Sequence, residues 1–167
     1  MRVLLAIDHS EPSEAAVQAV LERGPGTEVR LIHVVEPATS LIPSLLAGAE
    51  LGLWRGAEIE ALRRTTLEEA QDLLAKAGRT LREAGLSVTT SVEEGDPRSK
   101  IIDLAATWPA DLIVLGSHGR KGLDRFLLGS VSEAVARHAP CSVEIQRTAK
   151  ERGLDNRAAP AERRPAT

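Results

Sequence analysis

The chain has 167 residues, 43% of them hydrophobic and 27% charged, with a formal net charge of −3. That length fits one domain with a core large enough to need no covalent staples, and the acidic balance argues against a general nucleic-acid binder. The single cysteine, Cys141, excludes a disulfide framework and a multi-cysteine zinc site, and no apolar run approaches the roughly 18 residues of a membrane span.

The chain opens with a continuous apolar run, Val3 to Ile7, ending in Asp8. It reads as a strand buried on both faces, and its apolar part is too short for a signal peptide, so a cytoplasmic location is expected. Ser10, Glu11, Pro12 and Ser13 are helix-start residues. Ala15, Ala16, Ala19 and Val20 follow at helical spacing until Gly24-Pro25. Val29 to Val35 is a second strand. Residues 36–56 carry Pro37, Pro43, Gly48, Gly52 and Gly56 among many leucines, which reads as a long loop with a short helical turn.

A helix is expected from Ala57 to Ala84, with Ile59, Leu62, Ala70, Leu73, Leu74, Ala77 and Leu81 on one face. At 1.5 Å per residue it would span roughly 42 Å, so it either divides in two or protrudes. Leu86, Val88, Thr90 and Val92 alternate with polar residues in a third strand that has one wetter face. In Gly95-Asp96-Pro97, Asp96 can cap free N–H groups and Pro97 suits the first helical position. That helix stops at Trp108-Pro109. Asp111 to Leu115 is a fourth strand, Gly116 to Gly129 a glycine-bearing loop, Ser130 to His138 the last helix and Cys141 to Gln146 the last strand.

Alternation of this kind implies an α/β fold, a parallel sheet with helices on both faces. From Thr148 the character changes. The last 20 residues hold five Lys or Arg, three Asp or Glu and one large aliphatic, Leu154, and read as a disordered tail. The domain is therefore 1–147 and the tail 148–167. The tail carries +2, so the total of −3 leaves −5 on the domain.

In an open α/β sheet, ligands bind at the carboxyl ends of the strands near the switch in strand order. Asp8 ends the first strand, and the loop from Gly116 follows the fourth. Gly116 and Gly119 let backbone approach a ligand. Gly129-Ser130 stands just before a helix, whose free N–H groups and partial positive charge can hold phosphate. Ser130 and Ser132 can add hydroxyls, and Arg120 and Lys121 positive charge. A glycine-rich connection with no ligand is the competing reading. Neither a Walker A loop nor the dinucleotide fingerprint is present.

Other residues are placed more simply. Asp8 can bind a ligand, or it can cap the segment that follows. His9 and Ser10 beside Asp8 do not make a hydrolase triad, because neighbouring residues point apart. His33 reads as a core histidine with one nitrogen satisfied. His138 suits the end of a helix, and Cys141 reads as an inert apolar residue.

Gly116-x2-Gly119-x9-Gly129-Ser130 resembles the G-2x-G-9x-G-[S/T] signature of the universal stress protein family, in its ATP-binding branch. The apolar first strand ending in Asp8, His33-Val34 closing the second strand, Gly95-Asp96-Pro97, and Ala139-Pro140-Cys141 before the last strand extend the resemblance over residues 2–147. It implies a five-stranded parallel sheet in the order 3-2-1-4-5, a Rossmann-like fold of the adenine nucleotide α-hydrolase type. It also implies an ATP site. Ala6 and Ile7 would line the base pocket, Asp8 lie near ribose and adenine, and the Val34 backbone contact adenine. Leu115 and Gly116 would run along the nucleotide, with His118, Gly119 and Arg120 in the phosphate loop. Gly129, Ser130, Val131 and Ser132 would cradle the phosphates, with Mg2+ bridging them.

The implied function is a nucleotide-dependent stress-response regulator rather than an enzyme, with at most slow ATP hydrolysis. A dimeric interaction protein that binds no nucleotide is the alternative. Members commonly form homodimers, often through the last strand. Here that strand carries Ser142, Glu144 and Gln146 on one face, which reads as solvated where the family is apolar. No protein metal site, membrane or nucleic-acid partner is expected.

Overall fold

The computed structural model describes residues 1–37, 56–119 and 128–148. The expected turn within 36–56, Arg120 and all of the expected tail beyond Thr148 lie outside them. The elements are β1 (Arg2–Ala6), α1 (Glu11–Leu21), β2 (Glu28–Val35), α2 (Gly56–Glu83), β3 (Ser87–Glu94), α3 (Pro97–Thr107), β4 (Leu112–Gly116), α4 (Ser130–His138) and β5 (Ser142–Gln146).

The strands form one sheet in the order β3-β2-β1-β4-β5, and every neighbouring pair is parallel. Fold and strand order are those that the sequence led us to expect. The central β1 shows why. Its apolar run has no polar face, and each side of it meets a helical layer. Val3, Leu5 and Ile7 join Ala16 and Val20 of α1 and Leu74 and Leu81 of α2 in one core. Leu4 and Ala6 join Ile101 and Ala105 of α3 and Val135 of α4 in the other. Period-2 alternation along a strand divides the side chains between the two layers.

The helix ends follow local chemistry. The Ser10 side chain caps α1 through the Ser13 N–H, and Asp96 caps α3 through the Ser99 N–H, each with proline in the first turn. After α2 the chain turns through Gly85 at φ +86°, a left-handed conformation in which a Cβ is strained. The long helix is continuous over 28 residues. It outreaches the eight-residue strands beneath it, so its first turns overhang the sheet and Leu62 is 45% exposed. Arg63 on the overhang binds both oxygens of Glu94 at the end of β3, at 2.9 and 2.6 Å. Its guanidinium holds the Glu94 carboxyl below the ordinary range.

The polar face of β5 differs from the expectation of a solvated surface. Glu144 is half-buried against α1 and pairs with Arg23 just past the end of that helix. Gln146 donates to Glu144 at 2.7 Å. These residues line a groove of about 610 Å³ with Ala15, Gln18, Ala19 and Glu22.

Candidate functional site

The strand order puts the carboxyl ends of β1 and β4 side by side, with Ala6 opposite Leu115. From β1 the chain crosses to β2 on one side of the sheet, while β4 lies on the other, so the switch point falls between these two ends. Ala6, Ile7 and Leu115 are buried beneath it. Val34 is half-buried near the end of the adjoining β2.

Asp8 follows β1 and is half-buried. Its Oδ1 accepts from the Ser10 N–H at 3.1 Å and from the hydroxyls of Ser10 and Ser13 at 2.5 and 2.7 Å. Of the two roles open to Asp8 in the sequence, this oxygen serves the local one, as an organiser of the turn into α1. Oδ2 accepts no hydrogen bond from the described residues and faces Gly119, 2.7 Å from where a Cβ on that glycine would stand. In the sequence the serines read only as helix-start residues. The spacing Asp8-x-Ser10-x2-Ser13, with three short polar side chains in one turn, was the signal that could have found the network.

The loop after β4 is held from both ends. Ser117 donates its N–H to Gln146 O, and Gly129 donates to Ser117 O, both at 2.8 Å. His118 is half-buried, with Nδ1 at 3.2 Å from Ser117 Oγ. Gly119 is exposed. The two serines at the start of α4 separate clearly. Ser132 is 2% exposed, and its hydroxyl lies 2.7 and 2.8 Å from the carbonyls of Ser117 and Gly129. It ties the loop to the helix and leaves only its N–H for a ligand. Ser130 is exposed and Val131 half-buried. Among the described residues no side chain hydrogen-bonds to the N–H groups at the start of this helix, whose cap is Gly129, so those of its first turn are left for another partner, with Glu133 the one acidic residue of that turn.

The signature glycines have intramolecular reasons. A Cβ on Gly116 would stand 2.8 Å from Pro12 Cβ and 3.0 Å from the Ser13 nitrogen. One on Gly129 would stand 3.0 Å from His118 Cα. Both positions let one backbone segment lie against another before any ligand is considered. Elsewhere, His33 is 7% exposed with Nδ1 at 2.7 Å from Ile7 O, the core placement expected. Its ring meets that of His9 edge-on at 6.0 Å. His138 Nδ1 lies 2.9 Å from Ala134 O in the last turn of α4. Burial, and then the charge of Asp111, push the Cys141 thiol up from its ordinary value, which disfavours the reactive thiolate.

Residues 1–147 match the universal stress protein family. The universal stress protein Sll1388 of Synechocystis is 33% identical over 149 residues, covering 86% of this chain and 96% of the relative. The solved structure of hypothetical protein MJ0577, from Methanocaldococcus jannaschii, superimposes with a TM-score of 0.74 at 26% identity, over 89% of this chain and 96% of that one. A universal stress protein family protein from Arabidopsis thaliana, solved with AMP bound, shares the fold at a TM-score of 0.61 and 20% identity, over 90% and 94% of the two chains.

Proposed function

The chain belongs to the universal stress protein family, and from that premise we propose that it binds an adenine nucleotide at the β1–β4 switch point, with ATP as the form that carries a regulatory signal. The observation that carries the reading is the start of α4, which no described side chain caps. The N-termini of α1 and α3 are closed by Ser10 and Asp96, whereas that of α4 begins at Gly129 with no side-chain cap among the described residues, at the crevice where an α/β sheet takes its ligands. The AMP bound to the Arabidopsis neighbour supports the adenine class. The choice of ATP rests on the glycine and serine spacing of residues 116–130.

In this reading Ala6, Ile7, Val34 and Leu115 flank the base, and Asp8 offers Oδ2 to the ribose. The phosphates take the N–H groups of Gly129, Ser130, Val131 and Ser132, the Ser130 hydroxyl, and the loop residues Gly116, His118, Gly119 and Arg120. Among the described residues no cluster of three or more His, Cys, Asp or Glu could hold a metal. Mg2+ would be held by the phosphates, with water completing its shell. We place the protein in the cytoplasm and pair it into a homodimer through the free edge of β5. No described helix is long and apolar enough to cross a membrane.

The test begins with denaturing freshly purified protein and identifying any released small molecule by mass spectrometry. The emptied protein is then titrated with ATP and AMP by calorimetry. Glycine variants are poor probes here, because Gly116 and Gly129 are packed against backbone. Ser130→Asp is a better one. A carboxylate at the first helical position suits the helix dipole by about 0.3–1 kcal/mol, yet it repels phosphate. Expected are an unchanged or raised Tm without ligand and ATP binding weaker by at least about tenfold. No released nucleotide and no heat from the wild type would make the loop a plain connection and turn attention to a protein partner.

A further inference from the structure

The turn between β1 and α1 contains more hydrogen bonds than capping requires. Each serine hydroxyl has one proton. At 2.5 and 2.7 Å, both protons go to Asp8 Oδ1. Each oxygen then accepts in return, Ser10 Oγ from the Ser13 N–H at 3.4 Å and Ser13 Oγ from the Asp8 N–H at 2.9 Å. Capping α1 needs only the Ser10 bond. The Ser13 hydroxyl exchanges its strongest bonds with Asp8 alone, from a position 4% exposed. The carboxylate is thus pinned through one oxygen, and the other is directed at Gly119 in the facing loop. Ser10 Oγ also lies 3.3 Å from His118 O, within the same loop.

We infer that Ser10 and Ser13 are positioning residues. They saturate Oδ1 so that Asp8 presents a single oxygen, Oδ2, to the ligand and to the Gly119 backbone, which sets the spacing between the β1–α1 turn and the β4–α4 loop. The inference rests on the nucleotide reading for its ligand and on the hydrogen bonds alone for its geometry. It also explains why position 119 is glycine. A Cβ there would meet a carboxylate that is held at its other oxygen and cannot swing away.

The experiment is a mutant cycle read by ATP calorimetry on wild type, Ser13→Ala, Asp8→Ala and the double variant, with Ser13→Thr as the conservative replacement. Loss of a hydrogen bond to a charged group predicts about tenfold weaker ATP binding in Ser13→Ala. Ser13→Thr keeps the hydroxyl and recovers affinity. With Asp8→Ala already present, Ser13→Ala has no further effect. Equal losses in both backgrounds, or no loss in either, overturn the inference. Should Ser13→Ala not fold, Ser10→Ala takes its place in the same cycle. Should the wild type bind no nucleotide, the reading under Proposed function fails, and the positioning role is read instead from hydrogen exchange of the Ser117 and Gly129 amides. Removing Ser13 Oγ then speeds exchange only while the Asp8 carboxylate is present, and unchanged exchange overturns the role.

Discussion

At the scale of single residues, burial and direction separate side chains that look alike in the sequence. Ser130 and Ser132 are two positions apart, and either could serve a phosphate. One is exposed, while the other is consumed by two carbonyls of its own chain. The same holds for the glycines. Their spacing is plain in the sequence, where approach to a ligand is the natural reason for them. In the fold, Gly116 is occupied by Pro12 and Ser13 at the start of α1. Gly116→Ala therefore forces backbone apart and is expected to cost about 1–3 kcal/mol, as overpacking does. Urea denaturation without nucleotide measures it. An unchanged midpoint would return the glycine to a ligand-only role.

Among the elements, α3 was the most legible. Gly95-Asp96-Pro97 encodes its start by local chemistry, and Asp96 accepts from the N–H and hydroxyl of Ser99 and from Arg98. Burial pushes the Asp96 carboxyl up, but these donors and the Arg98 charge together outweigh it and hold the group below its ordinary value. A folded pKa below the unfolded one contributes stability that is complete above the unfolded value, about 3.9, and is lost as pH falls through the folded value. Asp96→Ala should thus cost about 1 kcal/mol at neutral pH, with the gap from wild type closing in acid. Denaturation across a pH series checks this, and a gap constant with pH would remove the carboxylate from the account. The long α2 was less legible. Its apolar stripe continues into turns that overhang the sheet, so periodicity alone could not say whether the helix divides or protrudes.

For the whole molecule, β5 is an edge strand among the described residues, and its outer side is the surface proposed for self-association. Gln146 O accepts from the Ser117 N–H, so Ser142, Glu144 and Gln146 turn their backbone groups toward β4, and Val143 and Ile145 turn theirs outward. Proline is tolerated on an edge when the lost N–H faces out. Val143→Pro should accordingly convert a dimer to a monomer in sedimentation while the far-UV spectrum stays native. A wild type that sediments as a monomer would sink the dimer reading. The succession of strands and helices, the two-sided burial of β1 and the glycine and serine spacing of the loop are readable along the chain, because hydrophobic period, caps and glycine spacing act over a few neighbours. The meeting of Asp8 Oδ2 with Gly119, the tie of Ser132 to Ser117, the packing of Gly116 and Gly129 and the pairing of Glu144 with Arg23 are set by the folded chain. Each of these depends on segments far apart in the chain arriving at one place, and no local pattern encodes that distance.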